Sequence, residues 1–250
     1  MNEQQHSLSI YDEIKNYLLY LKQMGGKGVE ISPSSLKTVQ KWGQAKIQKK
    51  YFSSPKKKQE VSKNDYEDLS ELLLTVKACT KCPLHLTRKQ IVFGAGDPKA
   101  SIIFVGEAPG YEEDQTGKPF IGAAGKLLTR IIHAMHLNRD IVYICNIIKC
   151  SPPENRKPET EEINQCLQYL EKQIDIIQPI FICTLGTTAS QAILKVKTPI
   201  SQLRGNFHFY KGIKVMPTFH PSYLLKNESK KKEVWQDMQM IMREMKKTHN

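Results

Sequence analysis

Between residues 90 and 247 the hydrophobic positions change period repeatedly. Four short β-branched and aromatic runs stand out: SIIFVG (101–106), IVYICNII (141–148), PIFICTLG (179–186) and GIKVMPTF (212–219). Each is apolar nearly throughout, which suits strands covered on both faces. Between and after them the period lengthens to that of helices, over 123–136, 159–177, 187–195 and about 230–247. In the last of these, Val234, Met238, Ile241 and Met245 share one face. Strands alternating with helices predict parallel βαβ units: a three-layer α/β/α sandwich around a central four-stranded parallel sheet. Residues 64–78 read as the opening helix of this domain. Ahead of it, residues 8–24 place Ile10, Ile14, Tyr17, Leu18 and Leu21 on one helical face, ended by Gly25 and Gly26. A Gly, Ser and Pro-rich linker follows over 25–36, then a lysine-rich stretch. The expected division is a helical and basic N-terminal extension, 1–63, and one folded domain, 64–250.

Composition adds the partner class. The 250 residues carry 37 Lys and Arg against 25 Asp and Glu, a net charge of +12. That excess points to a polyanion, most simply nucleic acid. Residues 37–58 hold eight lysines and no acid, interleaved with Trp42, Tyr51 and Phe52. They read either as a solvated segment or as an accessory DNA-binding arm, since lysines neutralise phosphates and aromatics stack on bases. No window approaches the ~18 apolar residues of a membrane span, and MNEQQHSLSIYDEIK has no secretory pattern. The expectation is a cytoplasmic monomer without a membrane partner, in which disulfides are disfavoured.

The six cysteines then call for packing, metal or redox chemistry. Cys79 and Cys82 form a CxxC in KACTKCPLHL, Cys150 follows the second strand run, and Cys166 lies in the next helix. Four thiolates suit Zn²⁺ or an iron–sulfur cluster, and a redox dithiol stays open. Cys145 and Cys183 sit inside apolar strand runs and read as small buried hydrophobes.

In a parallel sheet, ligands bind beyond the carboxyl ends of the strands. There the chain places GEAPGYEEDQTGKPFIGAAG (106–125), Asn146 and HPSYLL (220–225). The glycine-rich stretch is neither a phosphate P-loop nor a dinucleotide fingerprint. The stretch reads either as a glycine-rich βα loop without chemistry or as part of a site, since Glu107 directly follows an apolar strand and a strand-end carboxylate faces the crevice. Phe120 can stack on a planar ligand, or serve the core. The amide of Asn146 can read a pyrimidine edge, or cap a strand. His220, stiffened by Pro221, can present its imidazole at the strand end, or serve a structural role. Tyr223, Leu224 and Leu225 read either as a wedge entering a base stack or as the apolar face of a turn or helix start.

GEAPG, GKPFIGAAG, YICNIIKCSPPENRKP and HPSYLL, in this order over about residues 72–245, resemble the type-4 uracil-DNA glycosylases, the iron–sulfur branch of the uracil-DNA glycosylase superfamily. The resemblance implies a [4Fe-4S] cluster on Cys79, Cys82, Cys150 and Cys166. It implies a uracil pocket formed by Gly106, Glu107, Ala108, Gly110, Phe120, Asn146 and His220, with Glu107 and His220 catalytic and residues 223–225 inserted in DNA. The implied substrate is uracil-containing DNA, single- or double-stranded, and the product an abasic site. Where the best-known branch has Gln-Asp-Pro, this chain has Glu107-Ala108-Pro109, which shifts the carboxylate by one residue. The stretch ISQLRGNFHFY (200–210) shows no insertion of the kind that carries a nucleophilic His in a covalent variant. Two other readings remain: a non-catalytic iron–sulfur DNA-binding or replication-associated protein on the same fold, and a zinc-stabilised nucleotide hydrolase.

Overall fold

A computed structural model describes residues 63–247. The expected amphipathic helix at 8–24, the linker and the lysine-rich arm lie outside the described residues.

The domain opens with helix α1 (Lys63–Lys77) and a 3₁₀ turn at Pro83–Leu86. Strands β1 (Ala95–Gly96) and β2 (Ile102–Gly106) follow, then α2 (Tyr111–Thr116), α3 (Ala123–Ala134) and β3 (Tyr143–Asn146). Next come α4 (Thr160–Ile177), β4 (Phe181–Leu185), α5 (Thr187–Leu194) and α6 (Ile200–Leu203). The chain finishes with β5 (His208–Tyr210), β6 (Ile213–Thr218), α7 (Pro221–Lys226) and α8 (Lys231–Lys247).

The sheet order is β1-β3-β2-β4-β6-β5. Its middle four strands are parallel, as the alternating pattern predicts, with Gly106 opposite Asn146 and Leu185 opposite Thr218. Antiparallel edge strands extend it on both sides: β1 beside β3 and β5 beside β6. Those two were not legible in the sequence. At two and three residues they are too short to show a period, and their pairing is set by the exposed edge they cover.

Strand residues alternate between two cores. Ile102, Phe104, Ile144, Phe181, Cys183 and Met216 pack under α3 and α8, against Leu128, Ile132, Trp235 and Met238. Ile103, Val105, Tyr143, Cys145, Ile182 and Val215 pack under α1, α4 and α5, against Val76, Leu170, Ile174 and Ile193. Each such aliphatic side chain removed from water contributes about 1.5–3 kcal/mol, before the entropy of ordering it. Cys145 and Cys183 are fully buried on opposite faces, as packing residues. Helix α4 starts where the Glu162 carboxylate accepts the Glu159 backbone N–H at 2.7 Å, and ends at left-handed Gln178.

Candidate active site and thiol cavity

All four parallel strands deliver their carboxyl ends to one crevice of about 690 Å³. Its walls include Glu107, Ala108 and Gly110 after β2, Phe120 from the glycine-rich loop, Asn146 at the end of β3, and His220 after β6. The residues singled out in three separate segments therefore meet in one place.

Glycine makes the close approach possible. A Cβ on Gly106 would lie 2.4 Å from Asn146 Oδ1 and 2.4 Å from Phe120 Cζ. A Cβ on Gly125 would lie 1.9 Å from the Phe120 carbonyl oxygen. Phe120 itself has φ 52°, an unusual conformation for an aromatic residue. Arg139 holds that turn, donating to the carbonyls of Pro119 at 2.7 Å and Phe120 at 3.1 Å. The Phe120 and His220 ring centres are 5.7 Å apart.

Asn146 is 1% exposed, and its buried Oδ1 has no hydrogen-bond partner among the described residues. A buried acceptor left unpaired costs about 1–3 kcal/mol, so the site is primed for a ligand that donates there. His220 caps α7: its Nδ1 accepts the Ser222 backbone N–H at 3.2 Å. Nδ1 thus carries no proton, and a neutral ring must carry it on Nε2. Burial pushes the imidazole down to about 4, against a smaller upward pull from Glu113. The ring is therefore neutral at pH 7 and offers an N–H donor.

A second cavity lies behind the sheet. Cys79, Cys82, Cys150 and Cys166 all line it, with Lys81, His85, Arg88, Lys149 and Tyr169. Among the described residues no group of three or more His, Cys, Asp or Glu is arranged to hold a single metal ion. The four thiols instead surround a common space. Burial raises the Cys150 thiol and takes that of Cys166 up to about 11, so a metal guest displaces protons when it binds. Their chemistry fits an iron–sulfur guest, which is held by four cysteines.

The model of the Uracil DNA glycosylase superfamily matches residues 93–239. The chain belongs to the uracil-DNA glycosylase superfamily. It is 49% identical to the type-4 uracil-DNA glycosylase of Thermotoga maritima over 166 residues, 65% of this chain and 86% of that one. It is 40% identical to the type-4 enzyme of Archaeoglobus fulgidus over 183 residues, covering 70% of this chain and 92% of the relative. With that of Sulfurisphaera tokodaii it shares 44% over 184 residues, 70% of this chain and 84% of the other.

Within this glycosylase fold, the 223–225 triplet divides. Leu224 is fully buried in the core that α3 and α8 cover, so the expected insertion into DNA is corrected for this residue. The triplet lies on α7, and the helical turn points Leu224 inward. Tyr223 and Leu225 are 42% and 44% exposed and remain at the crevice rim and surface. His208 sits on β5, its Nε2 2.9 Å from the Leu203 carbonyl oxygen, and is not among the crevice walls.

Two supporting residues escaped the sequence reading. Glu113 accepts the backbone N–H groups of Gly110, Ile121 and Gly122 at 3.0, 2.8 and 3.0 Å, tying α2 to the start of α3. Its place at the third position of a helix starting after Gly110 was a capping signal. Arg139 carried no local signal, because its partners lie 10 to 20 residues away.

Proposed function

We propose that this crevice extracts uracil from DNA and hydrolyses its N-glycosidic bond. The observation that carries the reading is the unpaired, buried Oδ1 of Asn146 in the crevice that Phe120 and a neutral His220 also line. Uracil offers an N3–H donor and an O4 acceptor along one edge. Asn146 accepts the first through Oδ1 and donates to the second through Nδ2. Cytosine presents an acceptor at N3 and a donor at N4, which would leave two buried polar groups mismatched.

The target nucleotide must leave the duplex first, at a cost of a few kcal/mol that is lowest for a mispair or a single strand. Tyr223 and Leu225 fill the vacated space, and the basic surface holds the phosphates. Phe120 stacks on the flipped base. The C1′–N1 bond breaks with the electron pair going to uracil, and positive charge spreads over C1′ and the ring oxygen. His220 Nε2–H donates to O2 of the departing anion, a preorganised donor aimed at developing charge. Water adds to C1′ and loses a proton, leaving an abasic site and uracil. Glu107, at the strand end, orients that water or holds the base. The backbone of Gly106, Ala108 and Gly110 closes over the ring.

Cys79, Cys82, Cys150 and Cys166 would hold a [4Fe-4S] cluster, which supplies a covalent link between the CxxC segment, the loop after β3 and α4. Four thiols around one cavity support this assignment. Among the described residues no helix is long and apolar enough to cross a membrane.

The test is direct. Purified protein is incubated with uracil-containing and matched thymine-containing oligonucleotides, and abasic sites are cleaved with alkali. Strand breaks only at uracil support the reading; DNA binding without breaks favours the non-catalytic alternative. A brown preparation absorbing near ~400 nm separates iron–sulfur from zinc.

A further inference from the structure

The walls of the thiol cavity are cationic. Lys81, Arg88 and Lys149 line the space with the four cysteines, and among the described residues no carboxylate does. Glu162, on the helix that carries Cys166, is taken up by Arg156 at 2.6 and 2.9 Å. Two of the cations are built in. Arg88 Nη1 donates to Cys150 Sγ at 3.1 Å, while its Nη2 donates to the carbonyls of Lys77 and Cys79, each at 3.0 Å. One guanidinium thereby bolts the CxxC segment to Cys150, which lies 62 residues beyond Arg88 itself. Lys149 is 0% exposed; among the described residues its Nζ donates only to neutral oxygens, Asn146 O at 2.7 Å and Gln173 Oε1 at 2.6 Å, and burial pulls its pKa below the ordinary lysine value.

A buried cation without a carboxylate is costly unless a counter-charge enters. A cube with four thiolates is an anion and supplies that charge. We propose that Arg88 and Lys149 form a cationic cradle for the cluster: Arg88 clamps it through an N–H···S bond, and both raise its reduction potential. The inference rests on the cluster assignment made above. Hydrogen bonds to the sulfurs and local charge are the levers by which a protein sets such a potential. Residues that hold a metal ligand from outside are worth roughly 10- to 100-fold in metal affinity. The fork geometry matters as much as the charge, because the guanidinium serves the sulfur and the carbonyls from two separate nitrogens, whereas lysine offers a single point.

The experiment uses the full chain, purified anaerobically, as parent, Arg88→Met, Arg88→Lys and Lys149→Met. Three quantities are read: iron per chain, the rate of ~400 nm bleaching in EDTA and air, and the midpoint potential against dithionite-poised mediators. Arg88→Met is expected to bleach about tenfold faster or more. Arg88→Lys should fall between it and the parent. The midpoint should move to lower potential in Arg88→Met and Lys149→Met. If Arg88→Met does not fold, Arg88→Lys and Lys149→Met carry the test. Parent-like bleaching in the Arg88 variants refutes the clamp, and parent-like midpoints in Arg88→Met and Lys149→Met refute the charge effect. A parent protein without iron overturns the cluster assignment itself, a different failure that the iron analysis reveals first.

Discussion

Replacing Gly106 by alanine probes the crevice with one methyl group. The added carbon meets Phe120 Cζ and Asn146 Oδ1 at 2.4 Å each, and Phe120 Cε2 at 2.8 Å. Ordinary carbon contacts lie near ~3.5–4.0 Å, so the two side chains must retreat by about 1 Å. Both contacts are distal atoms, which can swing without breaking the sheet. The backbone around Gly106 is held by its carbonyl, which accepts the Ile147 N–H at 3.0 Å. The fold should therefore survive, at an overpacking cost of about 1–3 kcal/mol and a melting point lower by roughly 3–10 °C. The site should not survive. A misplacement of ~1 Å in a positioning group costs on the order of 10²-fold in rate, and here the stacking ring and the base-reading amide both move. The assay is single-turnover uracil excision at saturating DNA, with the melting point measured alongside. A folded Gly106→Ala protein within threefold of the parent rate refutes the close-packed pocket.

The other predictions address charge, cofactor and arm. His220→Ala should slow excision by ~10² or more with little loss of DNA binding, because the donor acts mainly in the transition state; equal single-turnover rates remove it from the mechanism. His220 also titrates near 6.5 when unfolded and near 4 when folded. Between those values the unfolded chain binds the extra proton, so stability falls as pH drops through that window. His220→Asn should flatten this part of the melting-point profile, and identical profiles from pH 7.5 to 4.5 contradict the assignment. Alanine at Cys79, Cys82, Cys150 or Cys166 should each lose iron, while Cys145→Ala and Cys183→Ala retain it; full iron retention strikes that residue from the ligand set. A chain starting near Asn64 should excise uracil at a similar single-turnover rate but bind DNA with a flatter salt slope, since several lysines are gone. An unchanged affinity and slope would mean the arm serves another purpose.

Much of the domain was legible because its signals are local. The runs at 101–106, 141–148, 179–186 and 212–219 are apolar nearly throughout, a texture that suits strands covered on both faces. The helices between them followed within a few residues, since a 3.6-residue period over 12 to 18 residues is unambiguous. The crevice residues could be named from their strand-end positions, because a parallel sheet points all its carboxyl ends one way. What tertiary structure decided is pairing between distant segments. The edge strands β1 and β5 exist only because β3 and β6 offer them open hydrogen bonds. Leu224 and its neighbours are equally apolar in sequence, and only the orientation of α7 buries one and exposes two. Arg139 and Arg88 are ordinary charges along the chain, and Glu113 showed only its capping position. Each became structural when folding brought it to carbonyls, N–H groups or a sulfur from other segments, contacts that no local periodicity encodes.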